Sequence, residues 1–143
     1  MEVRRAEASD AEAVIALMAG LGRPPVAVGD EQAAVFRAHL EHPHAEVFVA
    51  ELDGAIAGGA SLWFRPRLNW TTAEAWVPDL YVDPAFRRRG AARALLDACV
   101  AAARDRGCHR LVLESGHERA EAHQLYESYG FTFGGRAYGL RLI

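Results

Sequence analysis

The stretch with the most chemical content runs Asp79-Leu80-Tyr81-Val82-Asp83-Pro84-Ala85-Phe86-Arg87-Arg88-Arg89-Gly90-Ala91-Ala92. An extended segment enters a turn fixed by Pro84, then a cationic loop, then a helix that opens on Gly90, Ala91 and Ala92. The first backbone NH groups of a helix have no partner inside it, and the positive end of the helix dipole adds to their pull on anionic oxygens. Small residues at that point let a phosphate reach the backbone. The chemistry on offer is therefore capture of a phosphorylated ligand at a strand-to-helix junction.

Such a junction needs elements to hold it. Val3 begins a short extended segment, and Ser9 is expected to cap a helix with Ala13, Val14, Leu17, Met18 and Leu21 on one face, stopped by Gly22 and Pro24. Helical spacing recurs over 30–40 and ends at His42-Pro43. Residues 47–52 and 55–64 read as a hairpin turning on Asp53-Gly54, with Gly58-Gly59 marking a bulge or a close backbone approach. The next strand, 73–82, is interrupted by Pro78, which has no NH for a ladder and predicts a local bulge or an unpaired stretch. A long helix over 91–106 closes on Gly107, a short buried strand follows at 110–114, and a fourth helix over 118–129 ends at Gly130. Residues 131–133 and 137–142 are expected as two closing strands. The fold class is α/β: an antiparallel meander, then a parallel pair joined by a right-handed crossover.

Composition removes several function classes. At 143 residues, 51% hydrophobic and 24% charged, the chain reads as a single globular domain, 1–143, large enough to need no metal or disulfide to stand. All 16 basic residues are arginine, so a Walker-type phosphate loop, which requires lysine, is excluded. With a net charge of −3, Arg87-Arg88-Arg89 is the one basic cluster, a small footprint that disfavours nucleic acid as a partner. Cys99 and Cys108 read as reduced thiols, and His39, His42 and His44 lack the cysteine or carboxylate that would complete a metal set, so no metal is expected. The charged start Met1-Glu2-Val3-Arg4-Arg5, with no apolar run long enough for a bilayer, predicts a soluble cytoplasmic protein that does not engage a membrane.

The junction and its surroundings resemble the GNAT superfamily of N-acetyltransferases, whose acetyl-CoA site carries Arg/Gln-x-x-Gly-x-Gly/Ala between a strand and a helix. Here the pattern stands as Arg87-x-x-Gly90-x-Ala92, preceded by Asp79-Leu80-x-Val82-x-Pro84 and followed by Leu125-Tyr126-x-x-x-Gly130-Phe131. The resemblance covers nearly the whole chain. It implies a mixed, mostly antiparallel central sheet with a splayed parallel strand pair and about four flanking helices. It also implies that the CoA diphosphate sits on the backbone NH groups of Arg88, Arg89, Gly90, Ala91 and Ala92, with Arg87 as the leading motif residue. The pantetheine arm would lie along Leu80, Tyr81 and Val82 in the splay beside Pro78, with Tyr126 near the sulfur.

The implied reaction is transfer of an acetyl group from acetyl-CoA to a primary amine of a small molecule or peptide, by direct attack and with no acetyl-enzyme. An alkylammonium titrates near ~10.4 and a thiol near ~8.5, so the amine must lose a proton and the leaving thiolate must gain one. Tyr126 matches the family's general acid, and a phenol with pKa near ~10 can serve. The backbone NH of Leu80 is the natural donor to the thioester carbonyl. Asp79 is the first candidate for base or ammonium-binding group, and Glu74 the second. The alternative is a non-catalytic GNAT-like module that binds CoA as a sensor.

In folds of this kind the acceptor is chosen by the first two helices and the loops near them, here 23–29 and 63–76. The latter holds Trp63, Trp70 and Trp76 with Arg65, Arg67 and Asn69, which suits an aromatic-lined, partly anionic acceptor or equally the packing of helices or of a dimer contact. A homodimer through the closing strands is compatible with the sequence. A narrower similarity, Asn69-Trp70 with Arg119-x-x-Ala122-His123-x-x-Tyr126, is to the aminoalkylphosphonate N-acetyltransferase branch and would make Arg119 and His123 functional.

Overall fold

The computed structural model describes residues 1–21, 29–114, 120–135 and 137–143. They group into two units, Met1–Leu113 and Glu114–Ile143. The first holds a six-stranded sheet and three α-helices: β1 (Glu2–Arg5), α1 (Ala11–Met18), α2 (Asp30–Glu41), β2 (Ala45–Leu52), β3 (Ala55–Arg65), β4 (Glu74–Val77), β5 (Leu80–Val82), α3 (Ala91–Asp105) and β6 (Arg110–Leu113). Strands run β1-β2-β3-β4-β6, with β5 also on β3. All pairs are antiparallel except β4 with β6, so the expected mixed sheet with one parallel pair is present.

Alternation along β2 and β3 decides what each face buries, because successive side chains point to opposite sides. Val47 and Val49 join Val14, Ile15 and Phe36 beneath α1 and α2. Phe48, Ala50, Ala60, Leu62 and Phe64 join Leu95 and Cys99 beneath α3. The hairpin turns as expected, with Asp53 at φ 54° and Gly54 at φ 78°. Gly58 and Gly59 are a site of close approach on both faces: a Cβ on Gly58 would stand 3.0 Å from the Tyr81 carbonyl oxygen, and one on Gly59 3.0 Å from Met18 Cε.

Two expectations change. The entry to α1 is not capped by Ser9. A short 3₁₀ turn, Ala8–Asp10, precedes it, with Glu7 and Asp10 forming a reciprocal capping box in which the Glu7 NH donates to Asp10 Oδ2 at 2.7 Å. Arg4 reaches the same carboxylate at 2.8 Å and Glu51 at 3.3 Å, tying β1, β2 and α1 together. The expected stop at Gly22 and Pro24 lies outside the described residues.

The second unit contains α4 (Ala120–Tyr129), ended by Gly130 at φ 115° with its NH on the Tyr126 carbonyl. The two closing strands expected after it are absent among the described residues. Phe133, Tyr138, Leu140 and Leu142 are 85–88% exposed. Their alternation is strand-like, but a strand persists only as part of a ladder, and none is present here.

Candidate active site

The site begins with a slip in register. On β3, Trp63, Phe64 and Arg65 face Trp76, Ala75 and Glu74, whereas Gly58, Gly59 and Ala60 face Val82, Tyr81 and Leu80. One surplus residue lies between the two runs, at Pro78-Asp79, where the Ser61 NH donates to the Asp79 carbonyl at 2.9 Å. Val77 and Leu80 both pack into the core beneath α3 although they are three residues apart. Parallel pairing stops at Val77 with Leu113, and among the described residues β5 has β3 as its one strand partner. Among the described residues no strand pairs with the other edge of Leu80, Tyr81 and Val82. This is the bulge and splay that Pro78 predicts.

From β5 the chain passes through the turn Pro84–Phe86, where Asp83 accepts a hydrogen bond from the Ala85 NH at 2.8 Å, and reaches α3. Arg88 at φ 63° and Gly90 at φ 83° both take left-handed backbone conformations just before the helix. Such backbone turns a run of NH groups toward a concavity that suits anions. Gly90 is the N-cap and has no side chain with which to bond the first amides of the 15-residue helix, whose NH groups lack partners inside it. The space above Gly90 is open, the nearest atom to a Cβ built there being Met1 Cε at 3.8 Å. These features fit a diphosphate. The arginines contribute differently from a clamp: Arg87 turns back to donate to the Val82 carbonyl at 3.3 Å and covers the Tyr81 ring, and Arg89 pairs with Asp53 at 3.3 Å.

Asp79 faces the opposite side, into a cavity of about 240 Å³ between α1, α2 and the sheet. Val14, Ile15 and Met18 of α1 line it, with Val35 and Phe36 of α2 and Val47 of β2. The polar lining is Gln32, His39, Ser61 and Asp79. Val47, Ser61 and Asp79 form one row across the sheet, since Ser61 is the register partner of Val47 and bonds Asp79 through the backbone. The Ser61 hydroxyl donates to Asp79 Oδ2 at 2.6 Å. Among the described residues Oδ1 has no protein partner. His39 donates Nδ1 to the Val35 carbonyl at 2.8 Å, leaving Nε2 for other contacts. Sequence reasoning missed Ser61, and the available signal was a lone hydroxyl in the apolar run of β3, which must find a partner when buried.

Glu74 is placed elsewhere. It is 1% exposed and accepts from Arg67 at 2.7 Å and Arg110 at 3.0 Å, with Arg65 at 3.6 Å. Burial works to raise its carboxyl, but the two hydrogen bonds and the neighbouring positive charges outweigh that and hold it below the ordinary glutamate range. A carboxylate so occupied ties β3, β4 and β6 together. The tryptophans are also committed: Trp63 meets His39 and His42, Trp70 stacks on His109 at 4.1 Å, and Trp76 lies under Arg65. None of the three lines the cavity among the described residues. In the second unit Tyr126 is buried, with its ring edge-on to Phe131, and His123 is half-buried. Arg119 and most of the loop 23–29 lie outside the described residues.

Comparison with known proteins agrees with this geometry. The family model described as Acetyltransferase (GNAT) family matches residues 15–131. A glucosamine 6-phosphate N-acetyltransferase of Trypanosoma brucei brucei is 29% identical over 136 residues, 92% of this chain and 88% of that protein. An aminoglycoside N(6')-acetyltransferase type 1 of Stenotrophomonas maltophilia is 32% identical over 133 residues, 90% of this chain and 84% of that one. The crystal structure of a Trypanosoma brucei acetyltransferase aligns with a TM-score of 0.83 and 26% identity over 99% of both chains.

Proposed function

The chain belongs to the acetyltransferase (GNAT) family, and on that premise we propose that residues 1–143 form one domain that moves the acetyl group of acetyl-CoA to a primary amine of a small molecule or peptide by direct attack. The observation that carries this reading is the slip at Pro78-Asp79. It leaves the second backbone edge of β5 without a strand partner among the described residues, on the way to the α3 amides, and turns a carboxylate toward a cavity beneath α1 and α2.

Acetyl-CoA supplies the acyl group already activated as a thioester. The amides of Arg88, Arg89, Gly90, Ala91 and Ala92 would hold its diphosphate, with Arg87 leading the motif. The backbone of Leu80, Tyr81 and Val82 would pair with the pantetheine amides, and the Leu80 NH would donate to the thioester carbonyl. Asp79 would bind the ammonium and draw off its proton directly or through a water, and the Tyr126 phenol would return a proton to the leaving sulfur. Cys99 does not suit an acyl carrier: it is fully buried, and burial together with the Glu46 charge pushes its thiol up to about 12.

The test is an acceptor screen that reads free thiol released from acetyl-CoA, paired with calorimetric titration of CoA. The panel holds amino sugars, aminoglycosides, peptides and, for the likeness of Asn69-Trp70 and Arg119 with His123, aminoalkylphosphonates. CoA binding without thiol release from any amine would support the non-catalytic sensor. No heat with CoA would remove both readings.

A further inference from the structure

The cavity that Asp79 faces has a chemistry of its own. Its described lining is mostly aliphatic and aromatic, from Val14, Ile15, Met18, Val35, Phe36 and Val47, with Gln32, His39 and Ser61 as further polar groups and Asp79 as the one carboxylate. That carboxylate is fixed through Oδ2 by Ser61 and offers Oδ1 outward. Among the described lining residues there is no arginine, and the chain has no lysine. A phosphate or phosphonate placed here would lose water without gaining a guanidinium or ammonium, and a polyhydroxylated body would offer more hydroxyls than Gln32, His39 and Ser61 can pair. Size points the same way. An apolar cavity of roughly 150 Å³ holds benzene, so about 240 Å³ suits a ring or short alkyl chain carrying an aminoethyl arm. Drug-sized ligands use roughly 300–1,000 Å³.

We infer that the acceptor is a primary amine with a compact apolar body, its ammonium on Asp79 and its hydrocarbon against α1 and α2, and not a phosphorylated or polyhydroxylated amine. The inference rests on the acetyltransferase reading for turnover, but the pocket's ligand class can be read separately by binding. Ser61 acts here as a positioning residue, holding the carboxylate that meets the amine.

The experiment measures kcat/KM for ethylamine, propylamine, butylamine, hexylamine and 2-phenylethylamine beside glucosamine 6-phosphate, kanamycin and 2-aminoethylphosphonate. It also records the thermal shift each amine gives with the free protein. At about 0.8 kcal/mol per buried methylene, kcat/KM should rise about four-fold per carbon until the cavity is full. 2-Phenylethylamine should raise Tm in the wild type and not in Asp79→Asn. Ser61→Ala should raise KM more than it lowers kcat, with partial recovery in Ser61→Thr. A flat alkyl series, or better turnover of the phosphorylated amine or of kanamycin, overturns the inference while leaving the acetyltransferase reading standing. If no amine releases thiol, that reading falls and binding decides the pocket: an Asp79-dependent shift with 2-phenylethylamine sustains the ligand class, and no shift overturns it.

Discussion

Replacing Glu74 with glutamine removes one charge from a buried centre that three arginines share. Truncating one partner of a fully buried pair costs about 3–5 kcal/mol, and of an exposed pair about 0–1 kcal/mol. Glu74 is 1% exposed, but Arg65, Arg67 and Arg110 are 37%, 43% and 58% exposed and regain water once the carboxylate is gone. The loss should therefore fall between the limits, at about 2 kcal/mol. For a chain of this size that lowers Tm by about 4–8 °C, measured by scanning calorimetry at pH 7 and checked by the urea midpoint. The sign of the pH dependence follows from the depressed carboxyl. Stability from the cluster is complete above the unfolded glutamate range, near ~4.3, and is lost as pH falls through the lower native value. The gap between wild type and variant should close in strong acid. A Tm difference under about 1 °C at pH 7, against the several degrees expected, or a gap that persists in strong acid, would refute the assignment of Glu74 to the framework.

Three further outcomes are expected. Gly90→Val forces a β-branched residue to φ 83°, at about 1–2 kcal/mol for the left-handed conformation. Calorimetry should show CoA affinity falling at least about ten-fold, 1.4 kcal/mol being a factor of ten, while circular dichroism stays native; unchanged affinity would remove the α3 amides from the donor site. Tyr126→Phe should lower kcat by about a hundred-fold with little effect on CoA affinity, and an unchanged chemical step would exclude the phenol as the acid. Iodoacetamide at about pH 8 should label half-buried Cys108 well before Cys99, whose thiol is pushed up to about 12. Equal labelling rates in the native protein would contradict that burial.

Local signals carried most of the fold because each was decided within a few residues. Asp53-Gly54 could turn a hairpin, Gly107 and Gly130 could end helices in a left-handed conformation, and Pro78 could not donate to a ladder. What went unread depended on partners distant in the chain. Ser9 looked like an N-cap in isolation, but Arg4 and Glu7 recruit Asp10 instead. Glu74 looked like a spare carboxylate because Arg110, 36 residues on, is brought beside it only by the parallel register of β4 and β6. The strand-like alternation of 137–142 satisfies the pattern for a sheet, but among the described residues it has no strand partner. Ser61 became informative only when Asp79 was placed across from it.

On the proposed reading, in which Asp79 meets the amine and the β5 edge meets the acyl donor, the slip at Pro78-Asp79 is what lets one short segment serve both. Without the surplus residue, the β3–β4 register would continue, Asp79 would stand opposite Ala60 beneath α3, and Leu80 would stand opposite Gly59 facing the cavity. That arrangement buries a carboxylate among Leu62, Val77 and Leu95 and puts a leucine where the proposed ammonium would bind. With the surplus residue, Leu80 and Val82 keep their places in the core, Asp79 turns to Ser61, and the β5 edge departs from β6. A proline is the residue that pays least for the interruption, since it has no NH to leave unpaired. The side-chain chemistry and the backbone recognition proposed for this segment thus both depend on a single local change in register.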